Sequence, residues 1–167
     1  GTLFRNGAFA RFFTVQGERI RNGFFVFEEE IEGGAWISHQ DLNGDAKEDT
    51  LLAQRSKIEA WRDDGQPFFT LFPYTAAFNQ EIEIAVGDIN RDKKMELLVA
   101  PGFGDTQGLP IKIYTLDGIP FFEEWYPFGK DYRGGYSIAA GDVDIDPFGE
   151  IVIGTGPGND PTISVFH

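Results

Sequence analysis

One short pattern occurs three times in the chain and each time runs straight into an apolar segment: Asp41-Leu-Asn43-Gly-Asp45-Ala-Lys47-Glu-Asp49, Asp88-Ile-Asn90-Arg-Asp92-Lys-Lys94-Met-Glu96 and Asp142-Val-Asp144-Ile-Asp146-Pro-Phe148-Gly-Glu150. The apolar runs are Leu51-Leu-Ala53, Leu97-Leu-Val-Ala100 and Ile151-Val-Ile153. Recurrence at a period of about 50 residues marks a repeat architecture, whose small units bury their faces only against their neighbours.

The repeat is larger than the acidic loop. A first strand leads into each loop, in Ala35-Trp-Ile-Ser-His39, Ile82-Glu-Ile-Ala-Val86 and Tyr136-Ser-Ile-Ala-Ala140, and the apolar run after the loop is a second strand. A third follows in Lys57-Ile-Glu-Ala-Trp61, Ile111-Lys-Ile-Tyr114 and Thr162-Ile-Ser-Val-Phe166. Asp64-Gly65 and Asp117-Gly118 then give a hairpin signal before an aromatic fourth strand, Pro67–Phe72 or Pro120–Trp125. Four short antiparallel strands per repeat is the pattern of a propeller blade, so the expected class is all-β.

The N-terminal stretch fits the same template out of phase. Ala10–Gly17 matches a third strand with its turn, Gly23–Phe27 a fourth strand, and Gly33-Gly34 stands before the first loop as Gly134-Gly135 stands before the third. The approximate units are 1–34 (partial), 35–81, 82–134 and 135–167 (partial), about three repeats plus one overlapping strand. Propellers have typically four to eight blades. The expectation is therefore a partial propeller, or one completed by association of chains through unpaired strand edges.

The loops place oxygen-bearing side chains at positions 1, 3, 5 and 9: Asp41, Asn43, Asp45 and Asp49; Asp88, Asn90, Asp92 and Glu96; Asp142, Asp144, Asp146 and Glu150. Position 7 (Lys47, Lys94 or Phe148) can add its backbone carbonyl, which explains why its side chain varies. Calcium takes six to eight such oxygens, so up to three Ca²⁺ ions are expected. An EF-hand is excluded, because position 12 holds Leu52, Val99 and Ile153 inside strand-like segments instead of a bidentate Glu.

These residues resemble the FG-GAP or VCBS-type repeats of integrin-alpha-like β-propellers, in Gly87–Asp92 and Gly141–Asp146 above all, with Pro101–Gly104 and Gly154–Gly158 as the Gly-Pro-rich turn after the second strand. The chain departs from the pattern at position 6, where Ala46, Lys93 and Pro147 replace the common Gly, and at Gln40, which replaces the Gly before the loop. The resemblance implies an extracellular scaffold, non-enzymatic, that binds protein or glycan partners on loops away from the metal. A carbohydrate-active propeller (lectin or lyase) is the alternative, and a self-assembling ring or filament subunit a third.

Composition narrows the remaining classes. A net charge of −13, with ten of 27 acids at loop ligand positions, argues against nucleic acid. No apolar stretch is long enough for a membrane-spanning helix. No Cys is present, so a thiol nucleophile is excluded. No Gly-x-Ser-x-Gly elbow occurs. His39 and His167 are the only histidines, and neither has an evident partner in the sequence. Glu28–Glu32 is expected to be a solvated loop. The recurring aromatics Trp36, Trp61, Trp125, Tyr114 and Tyr126 are expected in the core between blades. Phe103, Tyr74 and Tyr132, in expected loops, are the candidates for a sugar-stacking platform.

Overall fold

The computed structural model describes residues 9–25, 35–75, 77–104, 108–146 and 149–167, and every regular element among them is a β-strand. The hairpin β1 (Phe9–Phe13) and β2 (Arg19–Phe25) forms a two-stranded sheet. Two four-stranded meanders follow. The first is β3 (Trp36–Gln40), β4 (Asp49–Gln54), β5 (Lys57–Trp61) and β6 (Pro67–Leu71); the second is β7 (Ile82–Gly87), β8 (Glu96–Pro101), β9 (Ile111–Thr115) and β10 (Pro120–Trp125). The last sheet has three strands, β11 (Tyr136–Gly141), β12 (Glu150–Thr155) and β13 (Ile163–Phe166). Within each sheet, strands consecutive in sequence pair antiparallel, as in successive propeller blades. Glu28–Glu32, Gly33-Gly34, Pro147 and Phe148 lie outside the described residues.

The hairpin turns repeat atom for atom. Gly17, Gly65 and Gly118 have φ of 85°, 83° and 76°, and their N–H groups donate to the carbonyls of Thr14, Arg62 and Thr115. This is the three-residue loop closed by a left-handed residue, a conformation Gly adopts without steric cost. Pro67 and Pro120 open β6 and β10, both edge strands, where a missing N–H breaks no ladder bond.

Two cores separate the sheets. The first holds Leu42, Leu51, Ala53, Ile58, Ala60, Ile82, Ile84, Leu97 and Val99 with other buried residues; the second holds Ala85, Leu98, Ala100, Ile111, Ile113, Tyr136, Ile138, Ile151 and Ile153. Strand β8 supplies both, because alternate side chains point to opposite faces: Leu97 and Val99 to one core, Leu98 and Ala100 to the other. Strand β7 runs close to β11. A Cβ on Gly87 would lie 2.8 Å from Ala140 Cβ, whereas one on Gly141 would meet nothing. The Gly before the second loop is thus fixed by packing against the next sheet.

The aromatics divide as the repeat demands, with exceptions. Tyr114 is buried, and Trp36 and Trp125 pack against the two cores, Trp125 edge-on to Phe166 at 4.8 Å. Tyr74 corrects its assignment to an exposed platform: it is buried, and its hydroxyl donates to the carbonyls of Val99 (3.2 Å) and Pro110 (2.7 Å). Tyr132 is half-buried and anchors a loop, donating to the Gly135 carbonyl and accepting from the Gly156 N–H. Of the three candidates, Phe103 alone is exposed.

Candidate metal centres

All three acidic loops connect the first and second strands of their sheets, β3 to β4, β7 to β8 and β11 to β12. The position-1 carboxylate organises the backbone. Asp41 Oδ1 accepts from the N–H groups of Gly44 and Asp45, and Oδ2 from Ala46. Asp88 does the same with Arg91, Asp92 and Lys93. Position 3 then accepts from position 5: Asn43 from Asp45, Asn90 from Asp92, Asp144 from Asp146. Position 5 accepts from the N–H of position 7, at Lys47 and Lys94. Such side-chain to backbone bonds are what Asp and Asn supply in tight turns.

This winding forces left-handed backbone at positions 4 and 6. Gly44 and Ala46 have φ of 80° and 65°, Arg91 and Lys93 69° and 67°, and Ile145 71°. Four of the five non-Gly residues with positive φ among those described therefore belong to the acidic loops. Each such residue costs roughly 1–2 kcal/mol. Strain of this kind persists where the surrounding structure or a function requires it. Pro147, at position 6 of loop three, has no N–H for the bond that Ala46 and Lys93 make to position 1.

The position-9 acids are not the last residues of the loops. Asp49, Glu96 and Glu150 are the first residues of β4, β8 and β12, and they are only 1%, 2% and 1% exposed. Each accepts the N–H of loop position 2, from Leu42, Ile89 and Val143 respectively. Glu96 also accepts the Asn90 side-chain amide at 2.9 Å. A buried carboxylate is costly without compensating charge. Burial raises the carboxyl pKa of Asp49 and Glu96; the Leu42 and Ile89 amides oppose this, and the nearby Asp45 with Asp41, or Asp92 with Asp88, add to it. At Asp41 desolvation pushes upward too, but backbone N–H bonds from Ala46, Gly44, Asp45 and Asn43 outweigh it and lower the pKa.

A pH dependence follows for the metal-free protein. Because the folded pKa values of Asp49 and Glu96 lie above their ordinary values of 3.8 and 4.5, the stability these groups contribute is complete below those values and lost as pH rises through the folded ones. The melting temperature in chelator is expected to rise as pH falls from neutral toward the carboxylate range, and Glu96→Gln to flatten that rise. A calorimetric pH series giving the same slope for both proteins would contradict it.

In loop three, carboxylate oxygens of Asp142, Asp144 and Asp146 lie within 4.8 Å of one another, as do ligand atoms of Asp144, Glu150 and His167. Loops one and two face a common cleft of about 530 Å³ lined by Asp41, Asn43, Asp92 and Glu96 among others. The donor set of buried and exposed carboxylates with amide oxygens fits a hard divalent cation. Phe148, expected to give a carbonyl in loop three, lies outside the described residues.

Both histidines have partners, contrary to expectation. His39 Nδ1 is 3.1 Å from Thr50 Oγ1 and its Nε2 3.0 Å from Glu48 Oε2. His167 Nδ1 is 3.6 Å from Glu150 Oε1 and 3.9 Å from Asp144 Oδ2. The signal for His167 lies in cross-strand register. Ile151 pairs with Phe166, so the next position outward sets His167 beside Glu150.

Residues 41–99 match the family model of the FG-GAP-like repeat. The match runs from the first acid of loop one to β8, and so contains both of the first two acidic loops. The chain therefore carries an FG-GAP-like repeat over those residues. No curated protein sequence matches it.

Proposed function

We propose, from the premise of an FG-GAP-like repeat at residues 41–99, that the chain is a calcium-stabilised propeller module acting as a non-enzymatic extracellular scaffold for protein or glycan partners. The observation that carries the metal reading is the buried acid closing each loop: Asp49, Glu96 and Glu150, each set against further loop carboxylates. Bound calcium supplies charge compensation and fixes the turn between two strands. The left-handed non-Gly residues Ala46, Arg91, Lys93 and Ile145 support the same reading, since strain of this kind gathers where a site requires it. The extracellular setting is part of the same reading, because extracellular modules bind calcium at about 10⁻⁴–10⁻³ M and open loops of this kind would stay empty at cytosolic levels.

Calorimetric titration of the metal-stripped protein tests this. Calcium is expected to bind at up to three sites per chain, and Asp88→Asn to remove one, its amide oxygen still able to accept the Arg91 and Asp92 N–H groups while the Lys93 N–H bond to the second oxygen is lost. A titration without heat or saturation at millimolar calcium would sink the metal reading.

A further inference from the structure

The three loops differ in the residue set across the sheet from the position-9 acid. In loop one this is Arg62, whose charge acts on Asp49; in loop two it is Thr115, paired with Glu96; in loop three it is His167. The loops differ again at position 3. Asn90 donates its amide to Glu96 Oε1, but the equivalent residue facing Glu150 is Asp144, which as a carboxylate has no proton to give. Glu150 is 1% exposed. Its Oε2 is bonded by the Val143 N–H, while Oε1 has, among the described residues, only His167 Nδ1 at 3.6 Å, beyond hydrogen-bond range. A buried carboxylate oxygen, a second carboxylate and an imidazole nitrogen thus converge where the sister loop has a neutral amide bond.

We propose that loop three is a mixed nitrogen and oxygen site, taking a first-row divalent ion of the zinc type through Asp144, Glu150 and His167 in preference to calcium. Calcium is bound by oxygen, whereas imidazole suits zinc and its neighbours. Zinc holds His nitrogen and carboxylate oxygen at about 2.0–2.2 Å, which in a tetrahedral shell sets ligand atoms roughly 3.4 Å apart. The His167 nitrogen stands at 3.6 and 3.9 Å from the two carboxylate oxygens, which themselves lie within 4.8 Å of each other, so closing on the ion draws the three together. On its other side His167 borders an open apolar cleft lined by Ile89, Ile113, Trp125, Ile151 and Phe166. Three protein ligands leave a fourth position for water or a small ligand.

This inference rests on the reading of the loops as metal sites, and its test separates the two. The untagged chain is dialysed against micromolar zinc in millimolar calcium, and both metals are measured per chain by mass spectrometry. The wild type is expected to hold one zinc with calcium in the other loops. His167→Ala is expected to weaken zinc by at least the roughly 10–100-fold that loss of an outer-shell partner alone costs, with calcium at loops one and two unchanged. His39→Ala, which removes the other imidazole, is expected to keep the zinc. Equal zinc binding by wild type and His167→Ala would overturn the inference, as would three calcium ions with zinc excluded, a result that leaves the calcium reading standing. Neither metal bound would overturn both.

Discussion

Calcium added to the chelator-treated protein is expected to raise its melting temperature, by roughly 15–30 °C if three loops fill at a hundred times their dissociation constants. Each filled site adds about 2.7 kcal/mol under those conditions, and in a chain of this size 1 kcal/mol moves the midpoint about 2–4 °C. The ion is expected to favour the folded form, because folding sets Glu96 at the start of β8 against Asn90 and the Ile89 amide of the turn. Magnesium is expected to do much less, since it demands near-ideal octahedral geometry and sheds water reluctantly. Asp92→Asn separates the metal from the turn. Its oxygen still accepts the Lys94 N–H, so in chelator its stability should match or exceed wild type, one charge near Glu96 having gone. In calcium it should lose the increment of one site. A midpoint indifferent to millimolar calcium in the wild type would refute the expectation, and so would an Asp92→Asn protein that loses as much stability in chelator as in calcium.

The acidic loops were legible because their chemistry is local: residues 1, 3, 5 and 9 of one turn sit close in sequence, and the repeat confirms the register. The strands were legible from apolar runs and Asp-Gly turns. What escaped depends on neighbours far along the chain. That Asp49, Glu96 and Glu150 open the second strand and are buried follows from their pairing with Gln40, Gly87 and Gly141, beyond any single segment. Tyr74 reads as a loop aromatic until its hydroxyl is seen bonded to Val99 and Pro110, residues 25 and 36 positions away. His167 joins loop three only through the ladder between β12 and β13. At position 6, where the family's common Gly is replaced, Ala46 and Lys93 take the left-handed conformation that Gly adopts most easily, at a cost. Position 4, equally left-handed, gave no sequence signal, since Gly44, Arg91 and Ile145 share no side-chain chemistry.

Replacing either leucine of β8 should cost about 2–5 kcal/mol, the range for burying a cavity in place of a leucine, yet the two should loosen different halves of the molecule. Leu97 and Leu98 are both fully buried, one in the core shared with β4 and β5 and the other in the core shared with β11 and β12. In a repeat array stability is a sum of units and nearest-neighbour interfaces, so damage to one interface is felt chiefly by the sheets that share it. In native-state hydrogen exchange, Leu97→Ala should strip protection from β4 and β5 before β11 and β12, and Leu98→Ala the reverse. Uniform loss of protection in both single variants would instead make the sheets one cooperative unit. In that case a calcium ion in one loop would stabilise all three sheets, and the loops could not act as independent staples.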